Sequence, residues 1–214
     1  MQTILVANPK GGSGKTTLVT NIAGWLAGKR QRVALLDADP QGSSSQWLAR
    51  RPALFPPVAG FAGDVGRKEL KDIAPEWLVV DSAAGLHRDV LRDALKRADV
   101  MIVPVSPSAF DMAATQRFLQ AIADYKAVRE GGVAVALVAM RVDARTHSAA
   151  ELDAFLKGFD FPLVTRLRDT QVYVHCARDG SSVFDLPRSR GEQEWEQWKP
   201  LTRWIARHAA VRKT

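Results

Sequence analysis

Residues Lys10 to Thr17 read K-G-G-S-G-K-T-T, with an apolar run at 4–7 before them and a helical pattern at 15–29 after them. A strand, a glycine-rich turn and a helix in that order leave few folds open to the chain. Without side chains, Gly11, Gly12 and Gly14 let backbone N–H groups turn inward around a phosphate, with Ser13 between them. The helix beginning at Lys15 adds the positive end of its dipole. In this pattern Lys15 reaches the β- and γ-phosphates of a nucleotide, the Thr16 hydroxyl coordinates Mg²⁺, and Thr17 contacts the α-phosphate. The expected ligand is therefore a nucleotide with Mg²⁺.

The rest of the chain alternates in the same way. Short apolar, β-branched runs at 4–7, 33–36, 77–80, 100–105 and 133–139 predict strands covered on both faces, and a sixth is expected at 163–167. Helical patterns fall at 15–29, 44–50, 88–97, 112–129, 148–157 and 191–209. This predicts an α/β fold, a doubly wound and mostly parallel β-sheet flanked by helices, with ligands at the carboxyl ends of the strands. Residues 51–66, rich in proline and glycine, read as a loop-rich insertion. At 214 residues the chain suits one domain, 1–214.

Composition excludes several classes. One cysteine, Cys176, allows no disulfide within the chain, and the four histidines show no ligand spacing. The N-terminus lacks the charged and apolar regions of a signal peptide, and no apolar run is long enough to span a bilayer, so a cytoplasmic protein is expected. Lys plus Arg (30) exceed Asp plus Glu (23), giving a net charge of +7 that suits a polyanionic partner.

Lys10, a second lysine at the head of the loop in N-P-K-G-G-S-G-K-T-T, makes the segment resemble the deviant Walker A signature of the ParA/MinD family. The resemblance continues in Asp37-Ala38-Asp39-Pro40-Gln41-Gly42, in the apolar strand ending at Asp81, and in Pro104-Val105-Ser106-Pro107-Ser108-Ala109-Phe110-Asp111. It implies an ATP hydrolase, slow alone and stimulated by a partner, in which Lys10 reaches across a dimer interface to the other subunit's nucleotide. By position Asp37 would support the Mg²⁺ shell, Asp39 would orient or activate the attacking water, and Asp81 would hold Mg²⁺ through water. Asp111 stands as a partner for Lys10. Arg141, after the strand at 133–139, and Pro187, after Gly180-Ser181-Ser182-Val183, would contact the base. The chain departs from the family at Asp81-Ser82-Ala83-Ala84-Gly85, where prolines are usual, which bears on hydrolysis rate and not on ATP binding.

Residues 166–214 hold ten Lys or Arg against six acids. By likeness to ParA proteins, an ATP-dependent homodimer would double this basic patch and grip DNA without sequence preference, with Arg166, Arg168, Arg203 and Arg207 as candidate contacts. The implied protein is a nucleoid-associated partition or positioning ATPase, released from DNA when a ParB-like or adaptor partner stimulates hydrolysis. The alternatives are a MinD-like membrane-associated ATPase and a P-loop metabolic ligase. Against the first, Pro200 interrupts the last helix, and Trp195, Trp198, Trp204 and Ile205 suit packing against the sheet. Against the second, a ligase does not account for Lys10. A single cysteine excludes a nitrogenase-type iron protein. No extension precedes the first strand, so no helix-turn-helix and no operator-specific repression are expected.

Overall fold

The computed structural model describes residues 1–63, 67–85 and 87–210. Seven strands form one sheet: β1 (Gln2–Val6), β2 (Val33–Asp37), β3 (Ala59–Ala62), β4 (Trp77–Asp81), β5 (Val100–Val105), β6 (Ala134–Val142) and β7 (Leu163–Arg168). Their order is β3-β2-β4-β1-β5-β6-β7, and every pairing is parallel. Covered on both faces, such strands need no polar side: all six residues of β5 are buried.

Helices α1 (Lys15–Gly28), α2 (Ser43–Arg50), α3 (Arg67–Ile73), α4 (Arg88–Arg97), α5 (Ala109–Ala123), α6 (Lys126–Arg129), α7 (His147–Leu156), α8 (Gln171–Asp179) and α9 (Arg188–Ala210) connect or flank the strands. Two cores result. One holds α1 and α9 against one sheet face, with Leu18, Ile22, Trp47 and Trp198 fully buried; the other holds α4, α5 and α7 against the opposite face around Leu95, Met101, Leu119 and Leu152. Trp198 and Ile205 lie in the first core, and Trp195 and Trp204 pack against it, as expected for α9.

Four local expectations need correction. The segment 51–66 is not all loop: residues 59–62 pair with β2 as an edge strand, while 64–66 lie outside the described residues. The helix expected at 112–129 begins at Ala109 and breaks at Asp124–Tyr125 into α5 and α6. An unexpected helix, α8, follows β7, its first turn capped by the Thr170 hydroxyl and its end by Gly180 at φ 66°. Finally, α9 carries Pro200 within its span and is not interrupted by it.

On one side of β1 the sheet extends to β4 and β2, and on the other to β5 and β6. The order reverses there, so helices leave to opposite faces and a crevice opens at the carboxyl edge. The turn after β1 is the glycine-rich loop.

Candidate functional site

The loop turns on glycine where glycine is required. Gly14 caps α1 at φ 99°, and a Cβ there would lie 2.8 Å from the Met140 methyl. Gly12 is also left-handed, at φ 73°. Lys15 is buried inside the turn and donates to the carbonyls of Lys10 at 2.9 Å and Asn8 at 3.2 Å. Its ammonium thus spans the loop from within. Burial pushes it below the ordinary lysine range, opposed by the charges of Asp81 and Asp39. Asn8 fixes the base of the loop, donating to the Pro104 carbonyl and the Thr115 hydroxyl while accepting from the Lys10 amide. Ser13 is buried under the loop, its hydroxyl without a partner among the described residues.

Across from the loop, Asp37 and Asp81 are register partners at the ends of adjacent strands. The Thr16 hydroxyl donates to Asp81 Oδ2 at 2.9 Å, whereas Asp81 Oδ1 is buried with no hydrogen-bond partner among the described residues. Burial, with Asp37 contributing, pushes the Asp81 carboxyl up to about 6 despite the Thr16 bond. Two adjacent carboxylates, a threonine hydroxyl and an orphaned anionic oxygen form a set of hard oxygen donors, and a Mg²⁺ ion fits them. Asp37 also organises the chain around it, accepting from Ser45 N at 2.7 Å at the start of α2 and from Asp39 N at 3.2 Å. Asp39 stands at the cavity with its carboxylate on Gln41 N at 3.0 Å. After Asp81, Ser82 is buried, and Gly85 at φ 69° donates to the Pro9 carbonyl at 3.0 Å. That bond ties the D-S-A-A-G segment to the loop; Leu86 lies outside the described residues.

The loop and Asp39 line a cavity of about 530 Å³, which Asp37 and Asp81 adjoin through Thr16 and Asp39 without lining it. Gly11, Gly12, Gly14, Lys15, Thr16 and Thr17 form its floor, and Asp39 and Ala84 one wall. Arg141 stands opposite at φ 53°, its guanidinium bonded to the Gly12 carbonyl and, at 3.3 Å, to Ser106 Oγ. The remaining wall is the β7–α8 turn, Arg168, Asp169, Thr170 and Tyr173. No motif singles out these four: Arg168 ends β7 and Asp169 and Thr170 follow it at the carboxyl edge, whereas Tyr173 reaches the cavity from α8.

Pro187 does not share this cavity. It lines a separate one with Pro52, Val172 and Cys176, and the segment before it is a structural lock. Val183 N donates to Asn21 at 2.8 Å, Trp47 donates to the Ser181 carbonyl, and a Cβ on Gly24 would lie 2.3 Å from the Ser182 hydroxyl. The basic candidates divide. Arg166 is paired with Asp153 at 2.8 Å, and Arg168 donates to the buried Glu194 at 2.9 Å while lining the nucleotide cavity, so neither offers a free charge outward. Arg203 and Arg207 are exposed on α9 with no ion pair among the described residues, whereas Arg212 and Lys213 lie outside them. Lys10 likewise makes no ion pair among the described residues, with Asp111 or any other acid.

Fold and loop together put the chain among the P-loop nucleotide-binding proteins. Residues 4–171 match the CobQ/CobB/MinD/ParA nucleotide binding domain, and the chain belongs to that family. It is 30% identical over 193 residues to the maintenance of carboxysome distribution protein A of Halothiobacillus neapolitanus, covering 86% of this chain and 87% of the relative. It is 28% identical over 191 residues to the chromosome-partitioning ATPase Soj of Thermus thermophilus, covering 72% and 75%. The septum site-determining protein MinD of Pyrococcus horikoshii, solved with Mg-ADP, shares the fold at a TM-score of 0.72 and 18% identity, covering 98% of both chains. No helix among the described residues is long and apolar enough to cross a membrane.

Proposed function

We propose that the chain is a positioning or partition ATPase that dimerises on ATP, binds DNA without sequence preference in that state, and leaves it when an adaptor stimulates hydrolysis. The observation that carries the reading is Lys10: a lysine at the mouth of a complete phosphate loop, half-buried and without an acid to pair with among the described residues. Its carbonyl is held by Lys15 and its amide by Asn8, so its backbone is fixed while its charge is unspent. A second subunit's triphosphate is the anion that this position suits, with the lysine compensating charge in trans. The kinship to proteins named for carboxysome distribution and chromosome partitioning supports the same reading.

Within one subunit the roles follow from the cavity. Backbone amides of the loop hold the phosphates, and Lys15 trades its two carbonyl partners for phosphate oxygens. Thr16, Asp37 and Asp81 would hold Mg²⁺, which when bound compensates the phosphate charge. Asp39 orients water toward the terminal phosphorus; the P–O bond to ADP breaks as the new one forms, giving ADP and phosphate. The aromatic residues of α9 are taken up by the core, which argues against an amphipathic membrane helix there.

Light scattering tests the reading. Asp39→Ala with ATP and Mg²⁺ is expected to accumulate as a dimer and hydrolyse ATP at least tenfold more slowly. Lys10→Ala is expected to bind ATP and stay monomeric. A monomeric Asp39→Ala protein that binds ATP, or identical behaviour of the two variants, defeats the reading.

A further inference from the structure

In an all-parallel sheet the helices run back toward the amino ends of the strands, so helix C-termini gather at the edge opposite the nucleotide. Helices α1 and α9 do so on the same face, sharing one core through Leu26, Ala27, Ile205 and Ala209. Their closing turns reach the amino edge together. Gln2, which opens β1, donates to the Ala209 carbonyl, and Trp77, which opens β4, donates to Gln31 just past α1 at 3.2 Å.

Lys29, Arg30 and Arg207 stand exposed at these two helix ends, and Arg203 stands exposed one turn before Arg207 on α9. None has a carboxylate partner among the described residues. Two acids of this edge are engaged, Glu76 with Arg32 and Asp99 with Thr3 N at 2.7 Å. Cations near a helix C-terminus also complement the helix dipole, which is reason enough for Lys29 and Arg207. Arg30 has no such excuse. It sits beyond the helix at φ 60°, a conformation that favours glycine, and its N–H donates to the Ala27 carbonyl as any residue's could. An exposed guanidinium is kept where the backbone would prefer no side chain.

The geometry points to this amino edge as the surface that takes the phosphate backbone of duplex DNA, through Lys29 and Arg30 together with Arg203 and Arg207. Arg166 and Arg168, each committed to a carboxylate, are not part of it. The inference rests on the DNA-binding reading above and adds where the DNA lies: on the side of the sheet away from the nucleotide. Spaced cations without internal partners suit a polyanion, because each phosphate neutralised releases counterions and no ion pair must first be broken.

The test uses the full chain with ATP and Mg²⁺, a mixed-sequence DNA duplex, and fluorescence anisotropy over a range of salt. Lys29→Gln and Arg30→Gly are each expected to weaken binding and to reduce the slope of log K against log salt by about one. The double variant is expected to lose more than tenfold at low salt, with ATP affinity unchanged. Arg30→Gly relieves the left-handed backbone, so its thermal midpoint is expected to hold or rise, which separates lost contact from lost fold. Arg166→Gln is expected to bind like the parent. If the parent binds DNA and the Lys29 and Arg30 variants bind equally well with the same slope, the surface is wrong while the DNA reading stands. If the parent ignores DNA in every nucleotide state, or binds phosphatidylglycerol vesicles instead, the DNA reading fails and takes this surface with it.

Discussion

Asp81 ends β4 almost fully buried, with one oxygen on Thr16 and the other without a hydrogen-bond partner among the described residues. Burial holds its carboxyl up to about 6, above its range in an unfolded chain. The sign follows: above that pH the folded protein carries a desolvated anion that unfolding would relieve, so stability falls as pH rises from 4 through 6. Asp81→Asn removes that cost. At pH 7 it is expected to raise the unfolding free energy by something on the order of 2 kcal/mol, with little gain near pH 4. Calorimetry on the same variant is expected to show Mg²⁺-dependent nucleotide binding lost. At this scale the sequence is informative where chemistry fixes spacing: Lys15, Thr16 and Asp81 lie within a few residues of a motif, and Arg141 stands near the end of β6, which runs to Val142 and not only to 139. Pro187 misleads because a motif's neighbour in sequence is not its neighbour in space. Arg168 and Tyr173 have no local signature at all.

Among elements, α8 shows why. Its sequence, Q-V-Y-V-H-C-A-R-D, alternates β-branched and polar residues in a way that mimics a strand. What makes it a helix is the Thr170 cap, the left-handed Gly180, and a seat between α1 and α2. The edge strand β3, A-G-F-A, has too few apolar residues to announce itself, and its pairing to β2 supplies what the sequence lacks. Both errors have the same physical root, since tertiary contact decides between weak local preferences. The lock that seats α8 can be tested directly. Arg51 forms a buried pair with Asp185 at 3.0 Å, with side-chain exposures of 5% and 4%, donates to the Gly180 and Pro56 carbonyls, and lies over Trp47 and Phe55. Arg51→Ala leaves the Asp185 charge buried with no cation beside it, held by the Ser182 amide and hydroxyl, so a loss of about 3–5 kcal/mol in urea unfolding is expected. Arg51→Met with Asp185→Leu is expected to recover much of it, because the pair's solvation cost goes with it.

For the whole molecule, the proposed pairing of two subunits gives one exposed side chain a role. Phe110, at the start of α5 on the carboxyl edge, is 83% exposed, an unusual place for a phenylalanine that packs against nothing within the monomer's cores. It stands on the edge that carries Lys10, since Asn8 beneath the loop is bonded to Pro104 at the end of β5. On the proposed reading it is an apolar anchor of the ATP-bound pair, and such aromatics carry about 1–2 kcal/mol or more, roughly tenfold in affinity. Phe110→Ser is therefore expected to raise the dimer dissociation constant about tenfold by sedimentation, leaving monomer stability and ATP affinity as they were. The polarity of the sheet has one further result. Seven parallel strands give each subunit two unlike ends, one for nucleotide and one, on the inference above, for DNA. A pair joined at the first ends turns the second ends outward and apart, so the assembly becomes a bivalent tether able to hold two duplex segments at once. On the proposed reading ATP needs no signal sent through the core to tighten the grip, because joining two weak hands into one body raises avidity by itself, and hydrolysis loosens it by parting them.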